Sequence, residues 1–244
     1  SRWVYPAWCS TESILIMPVF GTQMFGSAPA EPVTISFIGT AADTDETDAY
    51  TFSSQSIGTA ATGRLVVVGN GNAGGGSGTS AATSFTIAGV TASIIAQATA
   101  YDQTHVALWG AVVDSGTSGD IVMEFDRNAN GAYIAVWAVY DANTTADDTG
   151  SDTQYPGNTP YTTTLDVPAI GGAIACSTDS AGGGAATHTW AGLTEDFDLN
   201  FKGYQAGSGS HKVFTTAQSG ITVSSTPSKN THQGSLCCAS WGPA

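Results

Sequence analysis

Apolar residues recur at every second position over much of the chain. In "THVALWGAVVD", His105, Ala107, Trp109, Ala111 and Val113 form one face, and Val106, Leu108, Gly110 and Val112 form the other. A period of two is the signature of a β-strand. "GDIVMEFD" places Ile121, Met123 and Phe125 inward and Glu124 and Asp126 outward. "AYIAVWAVYD" puts Tyr133, Ala135, Trp137 and Val139 on one face, and its other face is also largely apolar. That strand is therefore expected to be central, covered on both sides. Asn130–Gly131 lies between the last two segments and predicts a hairpin turn joining them. The three segments are expected to be adjacent and antiparallel.

Upstream, "VTISFIG" and "DAYTFSSQSIG" read as strands, and "RLVVVGNGN" is apolar enough to sit in the middle of a sheet. "GNGNAGGGSGTSAA" has the composition of a flexible loop. Ala88–Gly89 marks a turn inside "SFTIAGVTASIIAQATAYD". Residues 141–160 are polar and acidic and read as a long loop or excursion. Later strands are expected at "TTTLDV", "GAIACST", "ATHTWAG", "HKVFTTA", "GITVSS" and "SLCCASW". No helical periodicity alternates with the strands, which argues against a parallel α/β fold. The pattern predicts an all-β, antiparallel β-sandwich, jelly-roll-like, with an N-terminal arm. The arm and linker span residues 1–32, and the sandwich spans 33–244.

The arm differs from the rest. Ile14–Phe20 is an apolar run too short to span a bilayer, and "GSAPAEP" follows it as a linker. Trp3, Tyr5 and Trp8 add aromatic anchors of the kind that dominate interfaces. Trp3, Tyr5, Trp8, Ile14, Ile16 and Phe20 are the candidate interface residues. Packing of the arm on its own domain is the competing reading.

Composition sharpens this picture. Thirty glycines and only 11% charged residues suit short strands and tight turns. Six basic residues against twenty acidic ones give a net charge of −14. Such a field repels phosphate, so nucleic acid and anionic membranes are not expected partners. Four cysteines, Cys9, Cys176, Cys237 and Cys238, form no C-x-x-C motif. Adjacent Cys237 and Cys238 point to opposite strand faces, which disfavours a mutual bridge.

Candidate chemistry is sparse. No G-x-S-x-G elbow is present, and Ser77 and Ser208 sit in Gly-Ser-Gly steps read as loops. His105, His188, His211 and His232 form no zinc motif. Glu124 and Glu195 are conceivable glycosidase partners, but Glu12, Glu31 and Glu46 are equally available. "DRNANG" (Asp126, Asn128, Asn130, Gly131) opens like a calcium loop, but Trp137 stands where the closing Glu belongs. Acidic loops at Asp43, Asp45, Glu46 and Asp48, and at Asp147, Asp148 and Asp152, read as solvated, with at most weak calcium affinity. "GNGNAGGGSG" lacks the lysine of a phosphate loop. Asn143 opens an Asn-Thr-Thr sequon in a polar loop, and Tyr155 and Tyr161 flank a Pro-Gly loop and read as locally packed. No cofactor and no enzymatic activity are expected.

The strings "ISFIG", "YTFSSQSIGTAATGRLVVVG", "AGVTASII", "IAVWAVYD", "GLTEDFDLNF" and "ASWGP" occur in that order between Val33 and Pro243. Together they resemble virion-associated structural proteins of tailed bacteriophages and prophages. The resemblance implies a particle component with no catalytic residues to carry over. Expected partners are copies of itself and other virion proteins, with location in a virion assembled in the host cytoplasm. Head decoration, fibre and tail positions all remain open. A carbohydrate-binding or receptor-binding module recognising host-surface glycan is the alternative, and a glycoside hydrolase is a third reading.

Overall fold

The computed structural model describes residues 1–3, 29–74, 81–100, 104–155, 160–181, 184 and 186–244. Among these residues every regular element is a strand. In chain order they are β1 (Thr34–Ser56), β2 (Leu65–Gly74), β3 (Ala82–Ile87), β4 (Val90–Thr91), β5 (Ser93–Ala100), β6 (Thr104–Val112), β7 (Ser118–Tyr140) and β8 (Asp148–Gln154). There follow β9 (Tyr161–Val167), β10 (Gly172–Ala181), β11 (His188–Ala191), β12 (Thr194–Lys202), β13 (Gln205–Val213), β14 (Gln218–Pro227) and β15 (Thr231–Trp241).

The all-β antiparallel expectation holds, but the two-sheet jelly roll is replaced by three sheets. The first has seven strands, ordered β4-β3-β7-β2-β6-β5, with β1 on the other side of β7. The second is β12-β13-β10-β15-β8 and the third is β11-β14-β9. The cause of the difference lies in β1 and β7, each 23 residues long. At about 3.3 Å per residue such a strand reaches roughly 75 Å, several times the usual strand. A ribbon of that length bends and supplies two layers. Its first sheet therefore rolls over itself into a nearly closed barrel, with Phe85 of β3 stacked on Trp109 of β6 at 4.9 Å.

The bend falls where the hairpin was expected. Asn130–Gly131 does not reverse the chain, and β7 runs through it to Tyr140. Gly131 has φ +95°, a conformation cheap only for glycine. The pairing with β1 slips beside it, between Thr47↔Ala129 and Ala49↔Glu124. Tyr50, buried below the bend, ties it with its hydroxyl, which donates to Ala129 O at 2.9 Å and accepts from Gly131 N at 3.2 Å. The predicted neighbours are also rearranged. Residues 120–126 and 132–140 are one strand, and β6 lies against β2 and β5 rather than beside β7. The Ala88–Gly89 turn is present between β3 and β4, with both residues at positive φ, as a type I′ turn requires.

Three apolar cores separate the layers. One fills the barrel with Val66, Val68, Trp109, Ile121, Met123, Phe125 and Ile134. The second lies between the first and second sheets and holds Leu65, Val67, Leu108, Tyr133, Trp137, Cys176, Cys237 and Trp241. The third lies beneath the small sheet, with Leu165, Val223, Leu236 and Cys238. The C-terminal half of β7 thus has a core on each face, as its two apolar faces predicted. Cys237 and Cys238 do enter different cores.

Two sequence-based loops are strands. "GNGNAG" completes β2, and "DDTGSDTQ" contains β8, which pairs with β15 from Ser240↔Asp148 to Gly234↔Gln154. Asp43–Asp48 likewise belongs to β1. Arg64, just ahead of β2, is fully buried, and the partners described for its guanidinium are carbonyls. Its guanidinium donates to Val113 O at 2.9 Å, Gly58 O at 2.9 Å and Ser115 O at 3.2 Å. It welds the two connections that enclose one end of the barrel.

Candidate functional site

The residues with most chemistry converge beneath the third sheet. β10 alternates so that Ser177 and Asp179 face it, while β11 brings His188 and β14 brings Ser225. Asp179 Oδ2 lies 3.0 Å from His188 Nε2, and His188 Nδ1 lies 2.8 Å from Ser225 Oγ. Ser225 Oγ also lies 3.1 Å from Ser177 Oγ. The Asp179–His188 approach is close but not aligned as a hydrogen bond. With a proton on Nε2 facing the carboxylate, Nδ1 accepts from Ser225. These are the residue types of a hydrolytic triad, with the two ring nitrogens exchanged.

Access decides what the cluster does. Asp179 and Ser225 are 0% exposed and His188 is 4% exposed. Tyr161 packs over it, its ring 6.4 Å from the His188 ring, and its hydroxyl crowds Gly234. In this arrangement no substrate carbonyl reaches Ser225 Oγ, which is the geometric requirement for attack. The cluster joins β10, β11 and β14 as a buried polar clamp. Sequence reading missed it because Asp179, His188 and Ser225 are spread over three strands.

A second carboxylate–histidine pair lies nearer the surface. Asp196 sits at the bulge of β12, between Glu195 and Phe197. It accepts from Trp137 Nε1 at 2.8 Å and holds His211 Nδ1 at 2.7 Å. Beside it, Glu195 has its carboxyl pKa raised by partial burial and by Asp198, with His188 opposing the shift. Glu124, its proposed partner, is exposed on β7 with Ser84 of β3 on one side and Ala49 of β1 on the other. The two acids thus stand on different sheets.

The acidic segments bind backbone. Asp148 Oδ2 accepts from Asp166 N at 2.7 Å, and Asp152 Oδ2 accepts from Thr162 N at 2.8 Å. Both donors are on β9, the edge strand of the next sheet, so two carboxylates four residues apart stitch β8 to β9. Asp166 in turn accepts from Gly220 N at 2.5 Å, and Asp120 accepts from Ser54 N at 2.8 Å. Asp43 accepts from Asp45 N at 2.9 Å within β1, and Lys202 Nζ donates to Thr44 O at 2.7 Å. Among the described residues no three His, Cys, Asp or Glu side chains gather as a metal site. Charge-assisted bonds to N–H groups are the stronger kind. Replacing Asp152 by Ala is expected to cost about 1–2 kcal/mol in urea denaturation, because Thr162 N–H loses its acceptor.

The remaining candidates are dispersed. His105 is buried in β6 and His232 is exposed. Tyr161 is fully buried, as local packing requires, and Tyr155 is 54% exposed. Asn143 is exposed. Ser208 lies inside β13, not in a loop, and accepts from Trp190 Nε1 at 2.8 Å; Ser77 lies outside the described residues. Trp3 is 91% exposed. Tyr5, Trp8, Ile14, Ile16 and Phe20 lie outside the described residues, as do Cys9 and Glu12.

One surface region is apolar and concave. Val90, Ile94 and Val112 are exposed on β4, β5 and β6. Ile94 and Val112 rim a groove of about 440 Å³ whose walls include Leu65, Ser93, Ile95 and Thr149. Its described lining contains no aromatic ring on which a sugar would stack. No protein-family model matches the chain, and no curated protein matches it.

Proposed function

We propose that the chain is a structural component of a tailed-phage particle, present in multiple copies as an exterior capsid decoration, fibre or tail part. The observation that carries this reading is how the polar groups are used. Among the described residues the cluster with triad chemistry is sealed as a clamp, and Asp148 and Asp152 bind the protein's own N–H groups. What faces outward includes contact surface: the apolar groove, the exposed Trp3, and a β1 that among the described residues pairs only with β7. Exposed edges and apolar patches are where strand addition and interfaces form. The ordered strings that resemble virion proteins fall on β1, β2, β4, β5, β7, β12 and the end of β15. The negative charge suits a surface directed away from packaged nucleic acid.

In this reading the arm, residues 1–32, attaches one copy to a neighbour through Trp3, Tyr5, Trp8 and the Ile14–Phe20 run. Deletion of residues 1–30, followed by size analysis and a test of incorporation into particles, checks it. A folded β-domain that no longer assembles is expected. Unfolding of the truncated chain would place the arm in the core, and normal assembly would remove it as the attachment point. Selective binding of the intact protein on a glycan array would favour a host-surface glycan receptor role instead.

A further inference from the structure

We propose that Cys176 and Cys237 form a cross-strand disulfide site at the centre of the second sheet. The two residues are directly opposed in the β10–β15 pairing. The register there runs without a shift from Gly172↔Trp241 to Ser180↔Gln233, so ordinary antiparallel spacing applies. Directly opposed residues in such a pair have Cα atoms about 4.5 or 5.5 Å apart. A disulfide requires roughly 4.4–6.8 Å, so both spacings lie within its range. Opposed residues also point to the same face, and both cysteines enter the core between the first and second sheets. Both are free thiols in this structure and fully buried.

The other pairings are weaker. Cys238 faces the third core and sets its sulfur 3.6 Å from Gly150 O. It cannot turn to Cys176 without reversing the strand face.

The reaction needs a two-electron acceptor, here a small disulfide such as oxidised glutathione. One protein thiolate attacks it, releases one thiol and leaves a mixed disulfide. The second protein thiolate displaces the other half, so two protein S–H bonds become one S–S bond and the small disulfide becomes two thiols. Burial pushes both protein thiols well above their ordinary pKa, so the folded chain exchanges slowly. The bond therefore forms before β15, the last strand, closes over β10, or when it opens. The pairing and shared face of Cys176 and Cys237 are independent of the proposed particle role.

The test is refolding from denaturant with mixed oxidised and reduced glutathione, then alkylation and digestion without reductant. A peptide pair joining Cys176 to Cys237, lighter by two hydrogens than its separate halves, is expected. The urea midpoint should rise relative to the reduced protein, and a Cys176→Ala variant should show neither effect. Recovery of both cysteines alkylated from folded protein, or linkage to Cys9 or Cys238 instead, overturns the proposal. If the chain does not refold, the same digestion is applied to folded protein exported to a bacterial periplasm. Free Cys176 and Cys237 there overturn it equally.

Discussion

Truncation of Trp137 to Ala is expected to lower the unfolding free energy by about 3–5 kcal/mol, the range for removing a fully packed large aromatic. Trp137 is 0% exposed, and its ring lies 5.6 Å from Phe37 and 6.2 Å from Phe197. It joins β7 to β1 and to β12, and so couples the two large sheets. Its Nε1 also donates to Asp196 Oδ2 at 2.8 Å, so truncation removes a donor from a carboxylate that is nearly buried. A Trp137→Phe variant separates the two contributions, because it keeps most of the packing and removes only the donor. Its loss should be smaller, about 1–3 kcal/mol. Urea denaturation of both variants with an unchanged slope is the measurement. A loss under about 1 kcal/mol for the Ala variant would show that Trp137 is peripheral and that the account of the middle core is wrong.

The period-two pattern located this residue and most of the core. Trp137, Trp109, Phe125, Leu65 and Val67 are all buried as the alternation requires. Local pattern reports which face a side chain takes, and it did so correctly on both faces of β6 and β7. It does not report which strands meet. β1 and β7 pair residues as much as a hundred positions apart, as in Phe37↔Trp137, and nothing local encodes that partnership. Asn130–Gly131 shows the same limit at closer range. Positive φ at a glycine serves a hairpin or a bent, bulged strand equally well, and the long pairing with β1 chose the bend. β8 was illegible for another reason. "DTGSDTQ" has no apolar face, and it is a strand because β15 pairs with it and Asp148 and Asp152 fasten it to β9. Arg64 opens an apolar run, and the string by itself does not say where its guanidinium goes. Its burial is made tolerable by Gly58 O from its own connection and by Val113 O and Ser115 O from the connection between β6 and β7.

Acidification is expected to destabilise the fold through His105. This residue is buried at the start of β6, where burial lowers its pKa from 6.5 to about 4. Its Nδ1 lies 2.8 Å from Thr99 Oγ1, and its Nε2 has no hydrogen-bond partner among the described residues. The folded state therefore holds the neutral ring, while the unfolded chain takes up a proton near the ordinary histidine value. Stability from this group is fully present above pH 6.5, falls as the pH drops below 6.5, and levels off near pH 4. At 1.36 kcal/mol per unit, the loss over that window is about 3 kcal/mol. Acidification also protonates carboxylates in general, so the wild-type curve alone does not isolate the histidine. A His105→Gln variant retains every carboxylate and lacks the titrating ring. The difference between the two denaturation profiles should shrink by about 3 kcal/mol between neutral pH and pH 4, with the variant the flatter of the two. Direct NMR titration of the ring should show protonation well below the range of an exposed histidine. A difference profile that stays flat, or a ring that titrates near 6.5, would mean that water reaches His105 and that the barrel end beside it is open.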